Sequence, residues 1–213
     1  MNVIRSWINS HKKELRHYAS YRIPNNTEVV LFPRLFWILA IQFLALYFGY
    51  TSKSVIPWWS MCILPFVATG FLVAIYSRER NCGLIGFFRY SSVFFALTCL
   101  SLIELTIAIS IRETIQNALY YSFFAFLITV LCFLYSIRRQ IERGIFSEEN
   151  KQGPHAAPYI AAALGYVTHR ICKYAISEKG ESVFIVIVVG VLAGIVLGVS
   201  VVLWLKSVGA TQE

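Results

Sequence analysis

SVFIVIVVGVLAGIVLGVSVVLWL, residues 182–205, lies between Glu181 and Lys206 and holds no charged residue. Wound as a helix rising about 1.5 Å per residue, its 24 residues exceed the roughly 30 Å hydrocarbon core of a bilayer. The stretch therefore reads as a transmembrane helix. Within it Gly190, Gly194 and Gly198 recur at every fourth position. Positions four apart share one helix face, so the three glycines form a bare stripe that another helix backbone can approach closely. The remaining positions are mostly Val, Ile and Leu, which suit lipid contact.

Composition agrees with that reading. Hydrophobic residues make up 57% of the 213-residue chain and charged residues 14%, against about 25% charged in a soluble domain. The net charge of +8 does not point to nucleic acid, because the basic residues fall between apolar stretches and not on one face of a polar domain. Anionic lipid of the inner leaflet is the expected partner. The five cysteines, Cys62, Cys82, Cys99, Cys132 and Cys172, have no CxxC or metal spacing, which predicts reduced thiols and no structural disulfide.

Moving back toward the N-terminus, residues 138–181 form the one sizeable polar segment, expected to be cytoplasmic and helical. It opens with Arg138, Arg139 and Arg143, passes a loop over 147–154, and continues into a helix started by Pro158. There Ile160, Leu164, Val167, Ile171 and Tyr174 give a narrow apolar seam, with Arg170 and Lys173 beside it. Residues 29–137 divide into four apolar spans, at about 29–50, 55–76, 87–111 and 117–137, joined by short polar turns. Pro65 in the second span predicts a kink. Residues 1–28 hold a basic amphipathic helix, with Ile4, Trp7, Ile8, Leu15 and Tyr18 on one side. Such a helix lies in the headgroup plane or packs on the protein itself. Residues 206–213 are a short tail.

The positive-inside rule sets the orientation. With the N-terminus inside and five spans, only Lys53, Arg112 and Lys206 of the nineteen basic residues face outward. The expected fold is thus an all-α integral membrane protein of five transmembrane helices, N-terminus in and C-terminus out. A bacterial inner membrane is the expected location, and a eukaryotic organelle membrane the alternative.

Chemistry is sparse. The chain contains no aspartate, which excludes the aspartate-based metal motifs of lipid-headgroup transferases and the aspartyl intramembrane proteases. Its four histidines lie outside the spans, and HExxH, GxSxG and phosphate-binding glycine loops do not occur. No enzyme and no cofactor are expected. One ionisable residue does fall inside a span: Glu104, about eight residues before Arg112. A carboxyl group at that depth is costly and marks an ion site or an interhelical contact, for which Gln42 on the first span is the natural partner.

These features predict a non-enzymatic multi-pass subunit. It would assemble with like or unlike membrane subunits through the glycine stripe and recruit a cytoplasmic protein through the basic inner face. The alternative is an oligomeric channel or gating component with Glu104 beside a polar path, in a membrane-acting defence, immunity or secretion system.

Overall fold

The computed structural model describes residues 2–20, 27–51, 58–112, 116–144 and 180–211. The seven helices described are α1 (Asn2–Ser10), α2 (Lys12–Ser20), α3 (Phe32–Thr51), α4 (Trp58–Glu79), α5 (Gly83–Arg112), α6 (Gln116–Glu142) and α7 (Gly180–Ala210), and no strand occurs among the described residues. Four stretches, Phe32–Thr51, Gly83–Arg112, Asn117–Glu142 and Ser182–Ala210, are long and apolar enough to cross a membrane. The fifth long helix, α4, runs for 22 residues through Pro65.

The 30-residue α5 is the hub on which α7, α3 and α4 pack. Short side chains bring α5 and α7 together. Ser92 Oγ donates to the Ser200 carbonyl at 2.8 Å, and Ser200 Oγ donates back to the Ser92 carbonyl at 2.8 Å. Further along, Val186 of α7 packs with Leu105 and Ala108 of α5 and with Ala45 of α3. These contacts run in opposite senses along the two helices, so α5 and α7 are antiparallel.

α6 and α7 are parallel. A Cβ on Gly190 would meet Ser122, one on Gly194 would meet Thr129 and the Phe126 carbonyl, and one on Gly198 would meet the Phe133 ring. Leu205 then packs with Ile137 and Ile141. The glycine stripe is therefore filled by α6 of the same chain, and Ser122 Oγ donates across it to the Val186 carbonyl at 3.0 Å.

This parallel pairing does not set the end of α7 opposite the N-terminal helices, as the expected C-terminus-out arrangement would. The end of α7 lies with the end of α6 and with the N-terminal helices: Leu205 joins Leu15 and Tyr18 in one apolar cluster, and Lys206 Nζ stands 5.3 Å from the Tyr18 ring centre. Both ends of the described chain share one end of the bundle. The physical reason is that steric fit on the α7 glycines fixes its direction relative to α6. The charge count presumed instead that all of 138–181 stays on one side. The end of α6, holding Arg138, Arg139 and Arg143, and the start of α7, near Ala118 and Val183, lie at opposite ends of the bundle. The apolar seam, Arg170, Lys173 and Lys53 lie outside the described residues.

The N-terminal helix also differs from its simplest reading. It divides at His11 into α1 and α2, although the His11 amide still donates to the Trp7 carbonyl at 3.2 Å and the Leu15 amide to the His11 carbonyl at 3.0 Å. Beyond the break, Leu15, Tyr18 and Ala19 are buried. They pack on the ends of α6 and α7, where Gly209 lets the Leu15 carbonyl come close. The apolar side of α2 is covered by protein and not by headgroups, and burial pushes the Tyr18 phenol well above its ordinary value.

Candidate functional site

Two regions carry polar chemistry. The first is a layer between α3 and α5. Their register is set at one end by Arg34, whose Nη1 donates to Ser91 Oγ at 2.9 Å and whose guanidinium lies over the Phe87, Tyr90 and Phe94 rings at 5.5, 4.8 and 5.4 Å. Toward the other end Ala45 packs with Leu105 and Ala108. α3 and α5 thus run parallel. Gln42 lies one turn beyond Ile38, which clusters with Leu97, and this register brings it level with Ser101 and Glu104.

Gln42 is 1% exposed and Glu104 9% exposed. Both polar atoms of Gln42 and Oε2 of Glu104 lack a hydrogen-bond partner among the described residues. Ser101 Oγ and Thr106 Oγ1 donate to the backbone carbonyls of Leu97 and Leu102 at 3.0 and 2.8 Å, so these neighbours use their protons within α5. Sequence reasoning identified both residues of this layer, but the hydrogen bond expected between them is not formed. A buried polar atom left without a partner costs about 1–3 kcal/mol, so the layer has capacity to take a proton, a water or a cation.

The second region is the basic end of the bundle. Exposed Arg78, Arg80, Arg138, Arg139 and Arg143 are joined there by Lys12, Lys13 and Arg16 on the docked α2. Arg138 Nε pairs with Glu142 Oε1 at 2.7 Å, and the same carboxylate accepts from Trp7 Nε1 at 3.2 Å, tying α1 to α6. Arg112 is at the opposite end, over the Phe48 ring at 5.1 Å.

Within the basic end Glu79 is 4% exposed, and sequence reasoning missed it. Local geometry puts it there. α4 ends at Glu79, the Cys82 amide donates to the Glu79 carbonyl at 3.0 Å, and Gly83 turns the chain with a φ of 56°, a left-handed conformation that glycine adopts without strain. Gly86 then admits the Glu79 carbonyl against α5, where a Cβ would collide with it. The available signal was the spacing of Ala68, Leu72, Ile75 and Glu79, which places the carboxylate on the buried face of α4 although it stands between Arg78 and Arg80 in the sequence.

Comparison with protein-family models, with curated proteins and with solved structures finds no match for this chain.

Proposed function

We propose that the protein is a non-enzymatic multi-pass membrane subunit whose working surface is its basic end. α4 would cross the bilayer together with the four more apolar helices, and the N-terminal helices and the basic end would face the cytoplasm, most naturally that of a bacterial cell. The observation that carries the reading is the gathering of exposed cations from α2, α4 and α6 on one end, with Arg112 the cation at the other among the described residues. Positive charge retained on one side of a membrane is the pattern of a cytoplasmic face. A face so basic suits anionic lipid and an acidic protein surface. The glycine stripe supports packing within each chain. Association with other subunits falls instead to the exposed aromatic sides of α3 and α6, such as Phe36, Phe43, Tyr120 and Phe124.

The test is native mass spectrometry of the complex extracted from its own membrane in mild detergent. A stoichiometric soluble partner that is lost in the R138E/R139E/R143E variant supports the reading. A wild-type protein that purifies alone overturns recruitment.

A second reading is favoured by the unpartnered Gln42–Glu104 layer. In it the protein is a channel or gating component, and Glu104 holds a cation or proton within the membrane. Liposome flux that falls in Glu104→Gln supports it; wild-type liposomes without flux rule it out.

A further inference from the structure

α4 and α7 both rest on α5 but make no contact with each other among the described residues. The gap between them closes at the basic end into a cavity of about 380 Å³ bounded by Glu79, Arg78, Arg89 and Trp204. Its chemistry is sharply divided. The hydroxyls on its wall are already engaged, since Ser92 Oγ donates to the Ser200 carbonyl and Ser207 Oγ donates to the Trp204 carbonyl at 2.7 Å. Glu79 is different. Its side chain is 6% exposed, yet Arg78 Nε is 3.6 Å from Oε1 and Arg89 Nη1 is 3.9 Å from Oε2. Both separations are beyond hydrogen-bonding range, and Oε2 has no hydrogen-bond partner.

A carboxylate that lines the cavity with both guanidinium groups held beyond hydrogen-bonding range has capacity for a further donor. A cation that fills the need must also tolerate two guanidinium groups alongside, which a lone metal ion or free amine does poorly. A zwitterion satisfies both. Its ammonium can donate to the Glu79 carboxylate where that residue lines the cavity, while its phosphate accepts from Arg89 and Arg78, whose side chains are 43% and 77% exposed. Beyond these charges the cavity is walled by Ile75, Val93 and Val208, apolar side chains against which the start of an acyl chain can lie. A headgroup would sit at the charged end with its acyl chain starting along these side chains.

We propose that the groove between α4 and α7 binds a phospholipid whose zwitterionic headgroup carries a primary ammonium, of the phosphatidylethanolamine type. Glu79 is the ammonium acceptor, Arg89 and Arg78 are the phosphate donors, and Trp204 lies at the glycerol level. This separates the ligand from phosphatidylglycerol, whose headgroup hydroxyls bring no positive charge to Glu79. It also separates it from phosphatidylcholine, whose quaternary nitrogen has no N–H to donate.

The test uses the full-length protein, delipidated in mild detergent and titrated with single lipids while bound lipid is counted by native mass spectrometry. The probes share dioleoyl chains: phosphatidylethanolamine, its mono- and dimethyl derivatives, phosphatidylcholine and phosphatidylglycerol. Losing a hydrogen bond to a charged group should lower affinity by about tenfold or more. Retention should therefore fall with successive methylation and be weakest for phosphatidylglycerol. Glu79→Gln should lower phosphatidylethanolamine binding to the phosphatidylcholine level and leave phosphatidylcholine unchanged, whereas Arg89→Gln should weaken both equally. A flat methylation series, or phosphatidylglycerol bound as tightly as phosphatidylethanolamine, overturns the proposal. Because that series is read on the wild-type chain, it decides the matter even where Glu79→Gln does not fold.

Discussion

At Gly198 the space for a side chain is taken by the Phe133 ring, and at Gly194 by Thr129 and the Phe126 carbonyl. Overpacking such a contact costs roughly 1–3 kcal/mol, whereas an interhelical hydrogen bond within a membrane is worth about 0.6 kcal/mol. Gly198→Leu should therefore lower the thermal midpoint in detergent more than Ser200→Ala, and Phe133→Ala should recover part of the loss in the double variant. Oligomeric state should not respond to Gly198→Leu. An oligomer that dissociates while the midpoint stays put would place the stripe on an outer surface. The stripe was legible in the sequence because glycine spacing is a local property, but its occupant was not, because Phe133 and Thr129 announce nothing in particular. Glu79 was hidden for the opposite reason: two flanking arginines made a buried carboxylate look like part of a solvated turn.

Among the elements, α2 is held by few residues. Leu15 and Tyr18 meet Ile137, Ile141 and Leu205, and Gly209 receives the Leu15 carbonyl. Truncating a buried Leu costs about 2–5 kcal/mol, comparable to what so short a helix gains by docking. Leu15→Ala should thus release α2, exposing Lys12, Lys13 and Arg16 to trypsin in the membrane-embedded protein. Gly209→Val should do the same from the other side. Protection equal to that of wild type in both variants would show that α2 is held by something else. The amphipathic pattern made this helix readable. It could not say whether lipid or protein covers the apolar side, since both satisfy the same periodicity.

For the whole molecule, the sharpest consequence is that both ends of the described chain lie at one end of the bundle. Epitope tags placed before Met1 and after Glu213 should be digested from the same face of sealed vesicles and protected together in vesicles of the opposite orientation. Tags digested from opposite faces would restore the arrangement expected from charge alone. Helix type and the approximate span limits were readable from hydropathy, because desolvating a backbone in lipid forces a helix wherever the chain is apolar for long enough. Direction was not. It follows from how α7 packs against α5 and α6, which neither hydropathy nor the charge count records.

The parallel fit of α7 against α6 bears on how the protein is made. A ribosome delivers α3 to α6 before α7. Until α7 arrives, the Ser92 and Ser122 hydroxyls lack the Ser200 and Val186 carbonyls to which they donate in the finished protein. A chain stopped before Gly180 therefore presents polar notches to lipid where the complete chain presents a sealed seam. The helix made after α3 to α6 is thus the one that closes the seam they leave open.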